Sequence, residues 1–140
     1  MAGSPTGAYL VALTPESAEA IQAREINIPY LPFRIGRESR KFAWTGVGLV
    51  GERRIVAPPN NDLYLFEDSE PMNVSREHLL VGSEDGVFYI LDRESTCGTI
   101  VEGVVLGKGG AIRQTPLKDH DVIIVGTSLS RYIFKFRLDF

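Results

Sequence analysis

Cysteine, histidine and tryptophan are scarce in this chain, and long apolar runs are missing. One cysteine, Cys97, cannot close an internal disulfide. Two histidines, His78 and His120, leave too few ligands for a Cys/His zinc site. No apolar run approaches the ~18–20 residues of a membrane helix. The apolar stretch at residues 8–13 has no basic flank and is too short for a secretory leader. These absences predict a chain in a reducing, cytoplasmic setting with no membrane insertion. An excess of base is missing too: 15 Lys and Arg face 18 Asp and Glu, a formal net charge of −3. That balance disfavours a general nucleic-acid or membrane-surface binder. The sequence has no G-x-S-x-G elbow, no P-loop and no H-E-x-x-H. Ser75 and His78 are three apart in an extended stretch, which sets them on opposite faces rather than as nucleophile and base. No catalytic residue, metal site or cofactor site is predicted.

The 140 residues, 44% of them apolar, predict one domain over residues 1–140 with an ordinary globular core. Fourteen glycines and eight prolines divide the chain into short, β-like pieces. Residues 9–13, 32–35, 63–66, 77–81, 87–91 and 122–125 read as strands, with a five-residue hairpin loop over 82–86. Over 132–138 the alternation is clean: Tyr132, Phe134, Phe136 and Leu138 share one face, and Ile133, Lys135 and Arg137 share the other. Only residues 15–24 read as helix, with Thr14 as N-cap and Pro15 at the first helical position. About ten short strands and one short helix near the N-terminus argue for an all-β sandwich.

Between Arg37 and the strand at 63 lie 25 residues that include Phe42, Trp44, Val47, Leu49, Val50, Ile55 and Val56. A structureless loop so long and so apolar does not suit a compact domain. The sequence predicts a hairpin there, 41–45 against 53–57 across a bend at 46–51. Charge is concentrated in the same region: six bases and two acids over residues 34–54 give a local +4.

Three short segments gather hydrogen-bond donors: Gly36-Arg37, Ser75-Arg76-Glu77-His78 and Ser95-Thr96-Cys97-Gly98-Thr99. Two arginines and two hydroxyls with no obvious acceptor suit an oxygen-rich dianion. Each segment alone is weak; an Arg after a Gly is commonly a solvated side chain. Their order and spacing, followed by Leu117-Lys118-Asp119-His120-Asp121-Val122-Ile123 closing on Gly126, resemble a forkhead-associated (FHA) domain over residues 31–138.

The resemblance implies an eleven-stranded β-sandwich of two twisted sheets whose loops at one end bind phosphothreonine peptides, and no enzyme. Carried over by position, Arg37 would pair with the phosphate and Ser75 would donate its hydroxyl to it. Arg76 would line the site, and Thr96 would hold its loop and approach the phosphothreonine. Gly36, His78 and Gly98 would be structural, and the loop at 127–131 would face the third residue after the phosphothreonine. The implied partner is a phosphothreonine-containing protein, a Ser/Thr kinase or its substrate among them, with the chain an adaptor in phosphorylation-dependent assembly.

Three departures from the family pattern stand out. Cys97 replaces the usual Asn that grips the peptide main chain, and Glu102 replaces an Asn in Val101-Glu102-Gly103. An insertion after the third strand, over residues 38–59, lengthens the Arg37–Ser75 interval by some twenty residues. The insertion motivates a rival reading, a phosphate-independent interaction or homo-oligomer surface. Its Trp44 is then either a partner anchor or part of a small satellite core.

Overall fold

The structure is a computed structural model that describes residues 6–45, 48–54, 59–68 and 71–139, with 39–54 described at the level of the backbone. The elements in chain order are β1 (Ala8–Ala12), α1 (Pro15–Ile21), β2 (Glu25–Asn27), β3 (Phe33–Arg37), β4 (Ser39–Thr45), β5 (Gly48–Arg54) and β6 (Leu63–Leu65). They continue with β7 (Leu79–Glu84), β8 (Val87–Asp92), β9 (Thr99–Val101), β10 (Val104–Leu106), β11 (Gln114–Pro116), β12 (Val122–Val125) and β13 (Ile133–Leu138). Eleven strands form the two sheets of a sandwich, in the orders β10-β9-β12-β13-β1-β2 and β11-β8-β7-β3-β6. The remaining pair, β4 and β5, is a separate ribbon.

Period-two alternation builds the core. Leu10, Phe134, Phe136, Ile123, Val125 and Val101 from the first sheet meet Phe33, Ile35, Leu65, Leu79, Val81 and Ile90 from the second in one buried cluster. Their intervening neighbours stay partly exposed, as expected where two inner faces interdigitate. The alternation read over 132–138 places Tyr132, Phe134 and Phe136 in this core.

Three local readings differ from the sequence-based expectation. The hairpin β7–β8 pairs Glu84 with Val87, so its connection is the two-residue Asp85-Gly86 rather than five residues. Both residues sit at positive φ, 52° and 79°, the geometry a tight Asp-Gly hairpin turn requires. The helix keeps its N-terminus, with Thr14 accepting from the Ser17 amide, but stops at Ile21. Gln22 adopts the left-handed conformation and its amide caps the carbonyls of Ala18 and Glu19. The ribbon forms where a hairpin was predicted, but Thr45 pairs with Gly48 and Ser39 with Arg54. Leu49 and Val50 thus join a ladder, which suits apolar strand formers better than a bend. The predicted extension to residue 57 lies outside the described residues.

Topology brings the singled-out segments to one end of the sandwich. Strand β6 runs parallel to β3, and β7 runs antiparallel to it. The C-terminal ends of β3, β6, β8 and β12 and the N-terminal ends of β7, β9 and β13 therefore share one end. The Asp85-Gly86 turn lies at the other.

Candidate functional site

Arg37 is the last residue of β3 and half-buried. Its amide donates to the Ser75 carbonyl at 2.8 Å, which fixes the strand end against the following loop. The guanidinium makes only a long contact, Nη1 to the Val74 carbonyl at 3.4 Å. Arg76 is exposed. Neither arginine pairs with a carboxylate among the described residues.

Ser75 Oγ accepts the Thr96 amide at 3.0 Å, which joins the second and third segments. One lone pair of the hydroxyl is thereby engaged while its proton stays available for an acceptor. Thr96 itself is exposed. Cys97 is half-buried, with Sγ 3.5 Å from the Met72 carbonyl, so its thiol spans back toward the loop before Ser75.

His78 holds these loops from beneath. Its Nδ1 accepts the Ser75 amide at 2.9 Å, and its Nε2 lies 2.7 Å from the Gly98 carbonyl. A ring nitrogen that accepts an amide proton carries none, so Nε2 bears the hydrogen and donates to Gly98. Burial pushes the pKa of His78 below its usual 6.5. The histidine is a neutral strut, not a base.

Several supporting residues carried no motif of their own. Glu67 accepts the amides of Asn73 and Val74 at 3.0 and 2.7 Å, folding the loop that delivers Ser75. Asn73 Oδ1 accepts both the amide and the hydroxyl of Thr127, at 3.2 and 2.6 Å, which ties in the loop after β12. Asn61 donates to the Arg76 carbonyl at 2.7 Å and accepts from Arg93 Nη1 at 2.7 Å. Asp92, fully buried at the end of β8, accepts the Ser95 amide and hydroxyl and the Thr99 hydroxyl at 2.9, 2.5 and 2.8 Å. Ser95 Oγ in turn accepts the Gly98 amide at 2.9 Å, completing the turn that presents Thr96 and Cys97. The available signal was the local Asp-x-x-Ser and Asn-containing turn chemistry. Long-range pairs such as Glu67 with Val74 have no such signal.

Among the described residues no group of three or more His, Cys, Asp or Glu could hold a metal ion. No helix among them is long and apolar enough to cross a membrane. The five predicted residues Arg37, Ser75, Arg76, Thr96 and Cys97 thus gather on the end of β3 and two adjoining loops, as a cluster of donors with spare positive charge.

The FHA domain family model matches residues 33–126. This chain belongs to the FHA family. Solved FHA structures carry the same fold. The FHA domain of an Arabidopsis thaliana hypothetical protein is 19% identical with a TM-score of 0.61, over 100% of this chain and 93% of that one. Mycobacterium tuberculosis EmbR, in complex with a low affinity phosphopeptide, is 22% identical with a TM-score of 0.58. That match covers 94% of this chain and 24% of EmbR, so this FHA domain spans about a quarter of that protein. The FhaA FHA domain, complexed with the intracellular domain of Rv3910, is 19% identical with a TM-score of 0.53, over 93% and 99% of the two chains. No curated protein matches the chain.

Proposed function

We propose that this FHA domain is a phosphothreonine-binding adaptor module, with residues 1–140 acting as one domain. The observation that carries the reading is Ser75, held by Thr96 with its hydroxyl proton available, beside an Arg37 that has no carboxylate partner among the described residues. Phosphothreonine brings a charge of about −1.5 to −2 and three acceptor oxygens. The Arg37 fork and the Ser75 hydroxyl supply charge-assisted donors to those oxygens. Arg76 adds a second cation on the same loop, while Thr96 and Cys97 flank the peptide main chain. Unphosphorylated threonine leaves these donors idle.

FHA domains are interaction modules rather than enzymes, and relatives of this fold take phosphopeptides and the intracellular domain of another protein. The partner is a phosphothreonine-bearing protein, either a Ser/Thr kinase itself or a kinase substrate. Screening the chain against degenerate phosphothreonine peptides, with phosphoserine and unphosphorylated sets alongside, tests the reading. Selective capture of the phosphothreonine set is expected. Equal capture of all three sets would overturn it in favour of a phosphate-independent surface.

A further inference from the structure

The end of the sandwich away from Arg37 and Ser75 carries a cleft of about 460 Å³, lined by Glu84, Asp85, Val87, Tyr89, Gln114 and Pro116 among others. Register puts these side chains together. Tyr89 pairs with Gly82 on one side and Pro116 on the other, and Glu84 pairs with Val87. Directly paired residues share a face of a sheet. It is the outer face of the second sheet, because the alternate residues Val81 and Ile90 lie in the core. A Cβ at Gly82 would lie 2.5 Å from the Tyr89 hydroxyl oxygen, so the ring rests on the backbone of β7. Gln114 and Pro116 belong to β11, the edge strand of this sheet.

The lining is aromatic and apolar along the strands and acidic at the turn. Val87 is 54% exposed, and Pro116 is exposed beside it. Glu84 and Asp85 are exposed, and neither forms an ion pair among the described residues. No Lys or Arg among the described residues lines the cleft. Arg113, the neighbour of Gln114 in the chain, lies 3.8 Å from Glu94 instead. Two unpaired carboxylates beside a tyrosine ring and two apolar side chains complement the aliphatic stem and charged head of a basic residue.

We infer that this cleft is a second docking surface, which takes an arginine or lysine side chain from a partner polypeptide. Charge complementarity chooses the occupant, since an acidic or wholly apolar segment leaves both carboxylates without a partner. Arginine fits better than lysine, because its planar head stacks on a ring and forks onto carboxylates. The six residues of β7 separate the cleft from the Ser75 loop by roughly 20 Å at ~3.3 Å per residue, so both places can be filled at once. The domain then joins two chains, a phosphorylated one at the Ser75 end and a basic one at the Asp85-Gly86 end. None of the cleft residues enters the phosphothreonine reading, so the two stand or fall separately.

The test titrates the full, 15N-labelled chain with degenerate unphosphorylated peptides that carry Arg at a fixed central position, beside sets with Lys, norleucine or Glu there. The Arg set should shift the amides of residues 82–89, 114 and 115 and leave those of Arg37, Ser75 and Thr96 in place. Exposed ion pairs are weak, so a dissociation constant of about 0.1–1 mM is expected, rising with salt. The norleucine and Glu sets should bind about tenfold more weakly. Glu84→Gln with Asp85→Asn should lower affinity for the Arg set about tenfold, and Asn-Gly suits the same tight turn, so the hairpin is kept. Tyr89→Leu should lower it about threefold. Both variants should bind a phosphothreonine peptide as the parent chain does. The inference is overturned by a lack of shifts with the Arg set, by norleucine binding as well as Arg, or by binding that survives Glu84→Gln with Asp85→Asn. Self-association of the chain through these same residues, with no response to the Arg set, would make the occupant a second copy and also overturn it.

Discussion

At the scale of single residues, the division between ligand-facing and structural groups follows from which donors the fold has already used. Arg37 Nη1 has only a 3.4 Å contact and Ser75 Oγ receives one amide, whereas His78 and Asp92 are saturated and buried. Arg37→Ala should remove charge-assisted bonds worth ~1.5–3 kcal/mol each, a fall in peptide affinity of roughly tenfold to several hundredfold. Ser75→Ala should cost less, since a hydroxyl is the weaker donor, although it also frees the Thr96 amide. Calorimetric titration with one phosphothreonine peptide measures both, and unchanged affinity in both variants excludes this phosphate site. Cys97 is the position most particular to this chain. A thiol is a weak donor and a weak acceptor, whereas an amide offers both functions strongly. Cys97 is half-buried beside the Met72 carbonyl, so part of its side chain faces solvent. Cys97→Asn should tighten binding by a few-fold, one neutral bond being worth ~0.5–1.5 kcal/mol, at little change in melting temperature. Weaker binding together with a lower melting temperature would mean the side chain belongs to the packing instead.

At the scale of elements, the sequence was most legible where one local rule decides the structure. The alternation of Tyr132, Phe134 and Phe136 and the Thr14-Pro15 helix start each follow from a single period or cap. Legibility failed where two local rules competed. The stretch Gly82-Ser83-Glu84-Asp85-Gly86 is polar enough for a loop, yet cross-strand pairing of Ser83 with Phe88 and Glu84 with Val87 keeps the ladder running to the Asp-Gly turn. The ribbon register was likewise hidden, because glycines on both sides of Leu49 and Val50 allow either a wide bend or a tight one. Gly36 illustrates a constraint that belongs to the contact between elements. A Cβ at this position of β3 would lie 2.0 Å from the Arg76 carbonyl oxygen and 2.6 Å from Asn61 Nδ2. Backbone cannot yield as a flexible side chain does, so the Ser75–Arg76 loop must move away from β3. Gly36→Ala should therefore destabilise the domain by ~1–3 kcal/mol, as overpacking does, and weaken phosphopeptide binding in the same variant. Urea unfolding and titration together check this; a stability equal to the parent chain would show that the loop shifts freely.

At the scale of the whole molecule, charge is distributed against the net balance. A chain of formal charge −3 carries a local +4 over residues 34–54, which include Arg37 and the ribbon root. Arg34 is already paired with Asp62, so the charge left beside the site is that of Arg37 and Arg76, and it attracts an anionic peptide over about one Debye length, ~8 Å at physiological salt; association should slow as salt rises. Acid acts on the domain and on its ligand by separate routes. The buried, neutral His78 has its pKa held below 6.5 in the fold, while the unfolded chain takes up a proton near that value. Folding stability is therefore full above about pH 6.5 and declines as pH falls through that value toward the depressed one. The ligand loses its dianion around its second phosphate pKa of ~6. If the Arg37 and Ser75 donors grip the dianion, affinity should fall about tenfold between pH 7 and 5, because roughly a tenth of the phosphate remains doubly charged at the lower value. Both trends point the same way, so each must be read separately: urea unfolding of the free domain gives the first, and titration of a phosphothreonine peptide gives the second. Far-UV circular dichroism at each pH shows whether the domain being titrated is still folded. Affinity that stays level from pH 7 to 5, and from low to high salt, while the domain remains folded, would place the binding energy in apolar contact with the ribbon rather than in the phosphate.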